Sequence, residues 1–227
     1  MNKQSGFTLV EIAIVLVIIG LLLGGVLKGQ ELINSAKVKN MIGDFRTTST
    51  LIYAYQDKYR ALPGDDLGAV SHVGGQLATT PATGSARGDG RINGTWNSTT
   101  TTDESYLFWE HVRRAGLAAG TTTTGGTDYL PRNADGGRLG VTGDTPITGW
   151  TGTTFVCSAG IQGKYARQID TTIDDGNTAT GTVRVLTSAA KVAGTAAAGG
   201  ELATGVANTV GLEVIDDAAL FTVCVAN

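Results

Sequence analysis

Residues 1–27 read MNKQSGFTLVEIAIVLVIIGLLLGGVL, and the rest of the chain is organised around this stretch. A short polar leader containing Lys3 ends at Gly6, and residues 7–27 are almost wholly apolar apart from one carboxylate, Glu11. About 21 apolar residues in a helix that rises 1.5 Å per residue span roughly 30 Å, the thickness of a bilayer's hydrocarbon core. The stretch therefore predicts a helix that can cross a membrane once.

Glu11 is the unusual residue of this span. An unpaired ionised carboxylate in lipid costs on the order of a few kcal/mol, so Glu11 needs a partner or a purpose. A secretory signal peptide fits poorly, because its apolar region covers roughly 7–15 residues and ends at a cleavage site after small residues. Here the helical pattern continues into Lys28, Gln30 and Glu31.

The order of these residues resembles a known leader. Lys3, Gly6, the FTLVE sequence of residues 7–11 and the aliphatic run that follows resemble the class III leader of type IV pilins and type II secretion pseudopilins. The resemblance implies that a prepilin peptidase cuts between Gly6 and Phe7 and methylates the new amino terminus at Phe7. It also implies that Phe7 and Glu11 act together in filament assembly, through pairing between subunits.

Electrostatics supports a role for Phe7 and Glu11 independently of the family resemblance. Cleavage would place the cationic amine of Phe7 about one helical turn from Glu11, and opposite charges attract more strongly in a low dielectric than in water. The pair could form inside one helix. It could also form between neighbouring helices, which would fix their axial register.

Length and composition predict one anchored domain. The 227 residues divide into a leader at 1–6, a transmembrane and filament-core helix at 7–27, an amphipathic helix at 28–59 and a head domain at 60–227. The formal net charge of −3 argues against a dedicated nucleic-acid binder. The 33 glycines indicate a head with many loops.

The amphipathic half of the helix should pack on the head. Apolar residues recur there at helical spacing: Leu32, Ile33, Ala36, Met41, Ile42, Phe45, Ile52, Tyr55 and Tyr59. Tyr53 is also assigned to packing. Four earlier glycines, Gly20, Gly24, Gly25 and Gly29, could unwind the helix locally or allow close contact with another helix, and both interpretations stay open.

The remaining pattern predicts an α+β class, with the long N-terminal helix packed on an antiparallel sheet as in pilins. Leu62-Pro63-Gly64 should end the long helix, and a loop should follow to about residue 103. Further helices are predicted over residues 104–115 and 161–173. Strands are predicted near residues 139–142, 153–157, 182–186, 211–215 and 220–225, with a low-complexity loop over 189–203.

Cys157 and Cys224 are the two cysteines of the chain, and neither belongs to a CxxC pair. In an exported domain they would form one disulfide bond in an oxidising compartment. Two buried free thiols are the alternative.

The sequence shows no pattern of a catalytic or cofactor site, so we predict no enzyme activity, no cofactor and no metal. His72 and His111 are assigned exposed or capping roles. The acidic loop around Asp89 could suggest calcium, but Arg91 and Thr100 stand where an EF-hand-like loop needs oxygen ligands. A solvated turn is therefore predicted.

Taken with the resemblance, these features predict a structural subunit of a type IV pilus-like filament. Its expected partners are prepilin peptidase, an inner-membrane assembly platform and other copies of itself, without nucleic acid. The precursor would lie in the bacterial inner membrane and the filament at the cell surface. A type II secretion pseudopilin and a minor tip pilin for adhesion or DNA uptake are the alternatives, and an anchored enzyme has the least support.

Overall fold

The computed structural model describes residues 9–80, 87–147, 149–187 and 215–227. The elements are α1 (Leu9–Tyr59), α2 (Ala69–Val73), α3 (Glu104–Arg114), β1 (Leu139–Thr142), β2 (Phe155–Gln162), α4 (Gly163–Ile173), β3 (Val183–Thr187) and β4 (Leu220–Ala226). The chain forms two compact units, Met1–Lys39 and Asn40–Asn227, so that the boundary falls inside α1. A long N-terminal helix and a domain with a four-stranded antiparallel sheet confirm the predicted α+β class, in a pilin-like arrangement.

The first unit contains the apolar part of α1. Among the described residues, α1 is the one helix long and apolar enough to cross a membrane. The helix is continuous through Gly20, Gly24, Gly25 and Gly29, so the structure shows no local unwinding there. A methyl group added at any of these four glycines would meet no atom within 4 Å. Close contact with another helix stays a prediction.

The second unit includes the last five turns of α1, and these turns bury one face. Met41, Ile42, Phe45, Ile52 and Tyr55 are buried, as the helical spacing predicts. The prediction was wrong for Leu32, Ile33 and Ala36, which are exposed, while Val38 close by is buried. It was also wrong for Tyr53, which is 59% exposed. Tyr53 follows the buried Ile52 by one residue, about 100° around the helix, and so turns away from the buried face.

The sheet has the strand order β1-β2-β4-β3, and every neighbouring pair is antiparallel. The register of β2 against β4 changes by one residue between Ser158 and Ile161. Gly160 lies in this bulge with φ of 71°, a backbone region that glycine enters without steric cost. The bulge lets β2 run to Gln162, five residues past the predicted end.

The other predicted elements match the structure closely where it describes them. β1 has the predicted bounds, and the bounds of α3, α4, β3 and β4 differ from the predictions by one or two residues. The short helix α2 was not predicted, because its stretch was assigned to a long loop. The predicted loop 189–203 and nearly all of the predicted strand 211–215 lie outside the described residues.

The turn after α1 brings the chain against α3. The helix ends at Tyr59, and the next residue, Arg60, has φ of 56°. Gly64 has φ of 96°, and a Cβ atom built on it would lie 2.3 Å from the carbonyl oxygen of Glu104. Glycine is therefore required at this position on two grounds, backbone conformation and close approach.

Candidate functional site: the exposed apolar helix and the polar clusters of the head

The apolar part of α1 is exposed on all sides. Every residue from Leu9 to Lys28 is exposed in the isolated chain. Fourteen large apolar side chains contribute to this surface: Leu9, Val10, Ile12, Ile14, Val15, Leu16, Val17, Ile18, Ile19, Leu21, Leu22, Leu23, Val26 and Leu27. A helix that is hydrophobic around its whole circumference belongs in a membrane or at the centre of a bundle.

The energetic driving force for covering this surface is large. Moving one Val, Leu or Ile side chain out of water is favourable by about 1.5–3 kcal/mol. For the fourteen side chains together this amounts to tens of kcal/mol. The chain therefore needs an apolar environment around this segment, from lipid or from other helices.

Glu11 lies in the first turn of α1 and is exposed. Gly6 and Phe7, the predicted processing residues, lie outside the described residues. At the other end of the apolar run, Lys28 Nζ and Glu31 Oε2 form an exposed ion pair at 2.6 Å. The apolar surface thus has one carboxylate near its start and charged residues at its end.

A disulfide bond joins the two cysteines, which is the first of the two predicted alternatives. Cys157 on β2 lies directly opposite Cys224 on β4, and both side chains are fully buried. They belong to a core cluster with Trp96, Ile147, Trp150, Phe155 and Leu186. The bond therefore fixes the C-terminal strand to the centre of the sheet.

Asp66 is the centre of a polar cluster beneath the C-terminal turns of α1. Its Oδ2 accepts hydrogen bonds from Tyr55 Oη at 2.7 Å and from His72 Nδ1 at 2.8 Å, and its Oδ1 accepts one from the Gly68 N–H at 2.7 Å. Burial alone would raise the pKa of Asp66, but these hydrogen bonds together lower it below its usual range. The Tyr59 ring stacks on His72 with centroids 5.3 Å apart. The cluster ties α1 to the turn that follows it.

His111 on α3 is fully buried, so its predicted exposed or capping role was wrong. Its Nδ1 accepts a hydrogen bond from the Gly64 N–H at 2.9 Å, and its Nε2 lies 2.8 Å from the Gln76 carbonyl oxygen. These contacts fit a neutral ring that donates from Nε2. Burial lowers the pKa of His111, which favours the neutral form. The residue links two loop segments to α3 and has no hydrogen bond to a serine, threonine or cysteine among the described residues.

Glu104 is a buried carboxyl group at the start of α3. Its Oε2 accepts a hydrogen bond from the Asn93 N–H at 2.7 Å, and its Oε1 has no partner among the described residues. Burial raises the pKa of Glu104 to about 8, and the nearby charges of Asp65 and Asp89 add to the shift. Nothing in the sequence marks this carboxyl group as buried, because an acidic residue in the first turn of a helix is common at exposed sites.

The acidic loop around Asp89 forms a turn, as predicted. Asp89 is exposed, and its Oδ1 accepts a hydrogen bond from the Arg91 N–H at 2.9 Å. The Gly88 and Gly90 N–H groups donate to Asp65, while Ile92 is fully buried. Within the described ranges, the acidic residues whose ligand atoms converge lie elsewhere, at Asp170, Asp174 and Asp175.

Comparison with protein families identifies a known motif in the N-terminal segment. Residues 1–27 match the family model described as the prokaryotic N-terminal methylation motif. This motif is the class III prepilin leader of type IV pilins and pseudopilins, so the resemblance drawn from residues 3–11 is confirmed. No curated protein matches the chain, and no solved structure matches it either. The apolar helix and the motif fit a membrane-anchored precursor that prepilin peptidase processes.

Proposed function

We propose that this chain is a structural subunit of a type IV pilus-like filament. The observation that supports this most directly is the continuity of two features: the methylation motif at residues 1–27 leads into a helix whose apolar side chains are exposed on all sides. A membrane anchor alone would need only the apolar length. The motif adds a processing junction and a carboxylate, and both are explained by assembly.

The precursor would be stored in the membrane with residues 7–27 in lipid. After cleavage between Gly6 and Phe7, the same helix would leave the lipid and pack among the helices of other subunits. Little apolar surface would be exposed to water during this exchange, because one apolar environment replaces another. The head domains would then lie on the outside of the filament.

Glu11 would set the register of each new subunit. In the filament core, the ionised carboxylate would be poorly solvated and strongly destabilising without a partner. The methylated amine of Phe7 in a neighbouring subunit supplies the opposite charge. Inner-membrane assembly machinery would deliver the subunits, and we propose no enzymatic role for the head.

The test compares two substitutions in the same helix. Glu11→Val removes the proposed register charge, while Glu31→Gln changes an exposed carboxylate beyond the apolar run. We expect both variants to be cleaved and N-methylated at Phe7, as measured by mass spectrometry. Electron microscopy should show few or no filaments for Glu11→Val and normal numbers for Glu31→Gln. Normal filament numbers for Glu11→Val would show that Glu11 has no assembly role.

Processing needs its own experiment. Gly6→Val should block cleavage, since the family's peptidase cuts after glycine, and the chain should keep its precursor mass. A band of mature mass in this variant would contradict the assigned junction. Abundant subunit in sheared surface filaments would support a major pilin, whereas retention in the cell envelope would favour the pseudopilin alternative.

A further inference from the structure

The C-terminal end of α4 gathers three carboxylates. Asp170 lies in the last turn, Asp174 is the C-cap residue, and Asp175 follows it. One carboxylate oxygen from each residue lies within 4.8 Å of the other two. Two oxygens bound to the same Ca²⁺ at about 2.4 Å can be at most about 4.8 Å apart. A single ion could therefore contact all three residues.

Asp170 provides an independent indication that a ligand is needed. Its side chain is fully buried, and neither carboxylate oxygen forms a hydrogen bond of normal geometry among the described residues, although the Gly176 N–H lies close enough to favour the charged form. An ionised carboxylate in this condition is strongly destabilised unless a positive charge or donors compensate it. No lysine or arginine in the described part of the chain forms a salt bridge with Asp170, Asp174 or Asp175.

The other two carboxylates are held in place by the turn. Asp174 Oδ2 accepts hydrogen bonds from the Thr182 N–H at 2.6 Å and the Val183 N–H at 3.0 Å. Asp175 Oδ1 accepts one from the Asn177 N–H at 2.8 Å. These bonds restrict the side chains without involving Asp170, so the group is ordered before any ion binds.

The electrostatic setting also favours a cation. The C-terminus of a helix carries partial negative charge, so that carboxylates there are unfavourable and cations are favourable. Burial raises the pKa of Asp170 to about 6, and the charges of Asp175 and Asp174 add to this, while the Gly176 N–H acts weakly in the opposite direction. Three acidic groups thus converge at a helix end that already repels them.

We propose that Asp170, Asp174 and Asp175 bind one Ca²⁺ ion. The donors are all hard oxygen atoms, without histidine or cysteine, which favours Ca²⁺ or Mg²⁺ over transition metals. Ca²⁺ takes six to eight oxygen ligands in flexible geometry, whereas Mg²⁺ demands a near-ideal octahedron at shorter distances. Carboxylates that range from the buried Asp170 to the exposed Asp175 at an irregular turn suit the larger ion and its flexible geometry. The site differs from the Asp89 loop and from the expectation of a metal-free chain.

Calorimetric titration tests the site directly. Full-length chain in detergent micelles, stripped with EDTA and dialysed, would be titrated with CaCl₂. We expect one site with a Kd of about 10⁻⁴–10⁻³ M, the range of extracellular calcium modules. Asp170→Asn and Asp175→Asn should weaken binding at least about tenfold, because each removes one of three ligand charges. Asp128→Asn and Asp89→Asn, at exposed positions outside the group, should bind as the unmodified chain does.

Thermal unfolding separates loss of binding from loss of folding. About 5 mM Ca²⁺ should raise the Tm of the unmodified chain by roughly 4 °C, by mass action on the folded state. Asp175→Asn, at an exposed position, should keep its Tm in EGTA but lose the calcium response. The proposal is wrong if no calcium binding or Tm shift appears below about 10 mM, if Asp175→Asn responds fully, or if Mg²⁺ binds equally well.

Discussion

Glu104 should make the head domain less stable as the pH rises through neutrality. Its carboxyl group is fully buried with one unpartnered oxygen, and its pKa is raised to about 8 from the ordinary 4.5. Between about pH 4.5 and pH 8, Glu104 holds a proton in the folded state that it has released in the unfolded state. The stability from Glu104 is therefore fully present below about pH 4.5 and is lost as the pH approaches 8.

The expected magnitude follows from the proton difference. One proton held over 2.5 pH units, from pH 5 to pH 7.5, corresponds to about 3 kcal/mol of unfolding free energy. His111 acts in the opposite direction, because its lowered pKa removes stability as the pH falls. Asp170, with its pKa raised to about 6, acts in the same direction as Glu104. A variant that changes only Glu104 separates its contribution to the pH dependence of stability from those of His111 and Asp170.

Glu104→Gln is that variant, since it keeps an acceptor for the Asn93 N–H and cannot ionise. Urea unfolding of the full-length chain in micelles would be followed by tryptophan fluorescence. Trp96, Trp109 and Trp150 are all buried in the second unit, so the signal reports on the head. Relative to the unmodified chain, Glu104→Gln should gain about 3 kcal/mol between pH 5 and pH 7.5. Glu31→Gln, at an exposed site, should show no such gain.

Parallel stability curves for the unmodified chain and Glu104→Gln would refute this reasoning. They would mean that Glu104 is ionised throughout the interval, and hence that a cation or water satisfies its second oxygen. A gain of equal size in Glu31→Gln would also refute it, because the effect would then be a general response to removing one negative charge.

Two further predictions concern the covalent and steric constraints of the head. Replacing both Cys157 and Cys224 by alanine should lower the unfolding free energy by about 4 kcal/mol in urea titrations, because the bond closes a loop with a separation of 67 residues; a change under about 1 kcal/mol would contradict this. Gly64→Ala should lower the Tm more than Gly90→Ala does. Both positions have positive φ, but only at Gly64 would the added Cβ meet a backbone carbonyl within 4 Å. Equal Tm values would show that the close approach relaxes without cost.

Local sequence patterns predicted the elements that obey simple periodicity. The spacing of Met41, Ile42 and Phe45 follows from the helical repeat, and β1 follows from a short apolar run. The end of β2 was missed because Gly160 introduces a bulge, which a two-residue alternation does not describe. The family of the leader motif at residues 1–27 was predicted correctly, since the order of its residues is local.

The buried polar groups could not be predicted in the same way. His111 was assigned an exposed or capping role and Glu104 no role beyond the start of the helix, and the burial of both depends on packing against loop segments. The sequence contains a weak indication that the Asp170 carboxylate is unusual. Asp170 shares a helix face with the buried Ala166, four residues earlier, so a carboxylate on an apolar face was visible in the pattern. Asp174 and Asp175 belong to an Asp-Asp-Gly-Asn sequence, which predicts only a turn that ends the helix.

The position of the disulfide has a consequence for proteolysis. Residues 158–223 lie between the two linked cysteines, and they include α4 and β3. A protease that cut the backbone once in this interval would produce two polypeptides but a single molecule, still joined through Cys157 and Cys224. β4 would stay attached to β2 in the sheet after such a cut. The nicked head would migrate as one band without reductant and as two bands with it, so damage would be invisible until the thiols were freed.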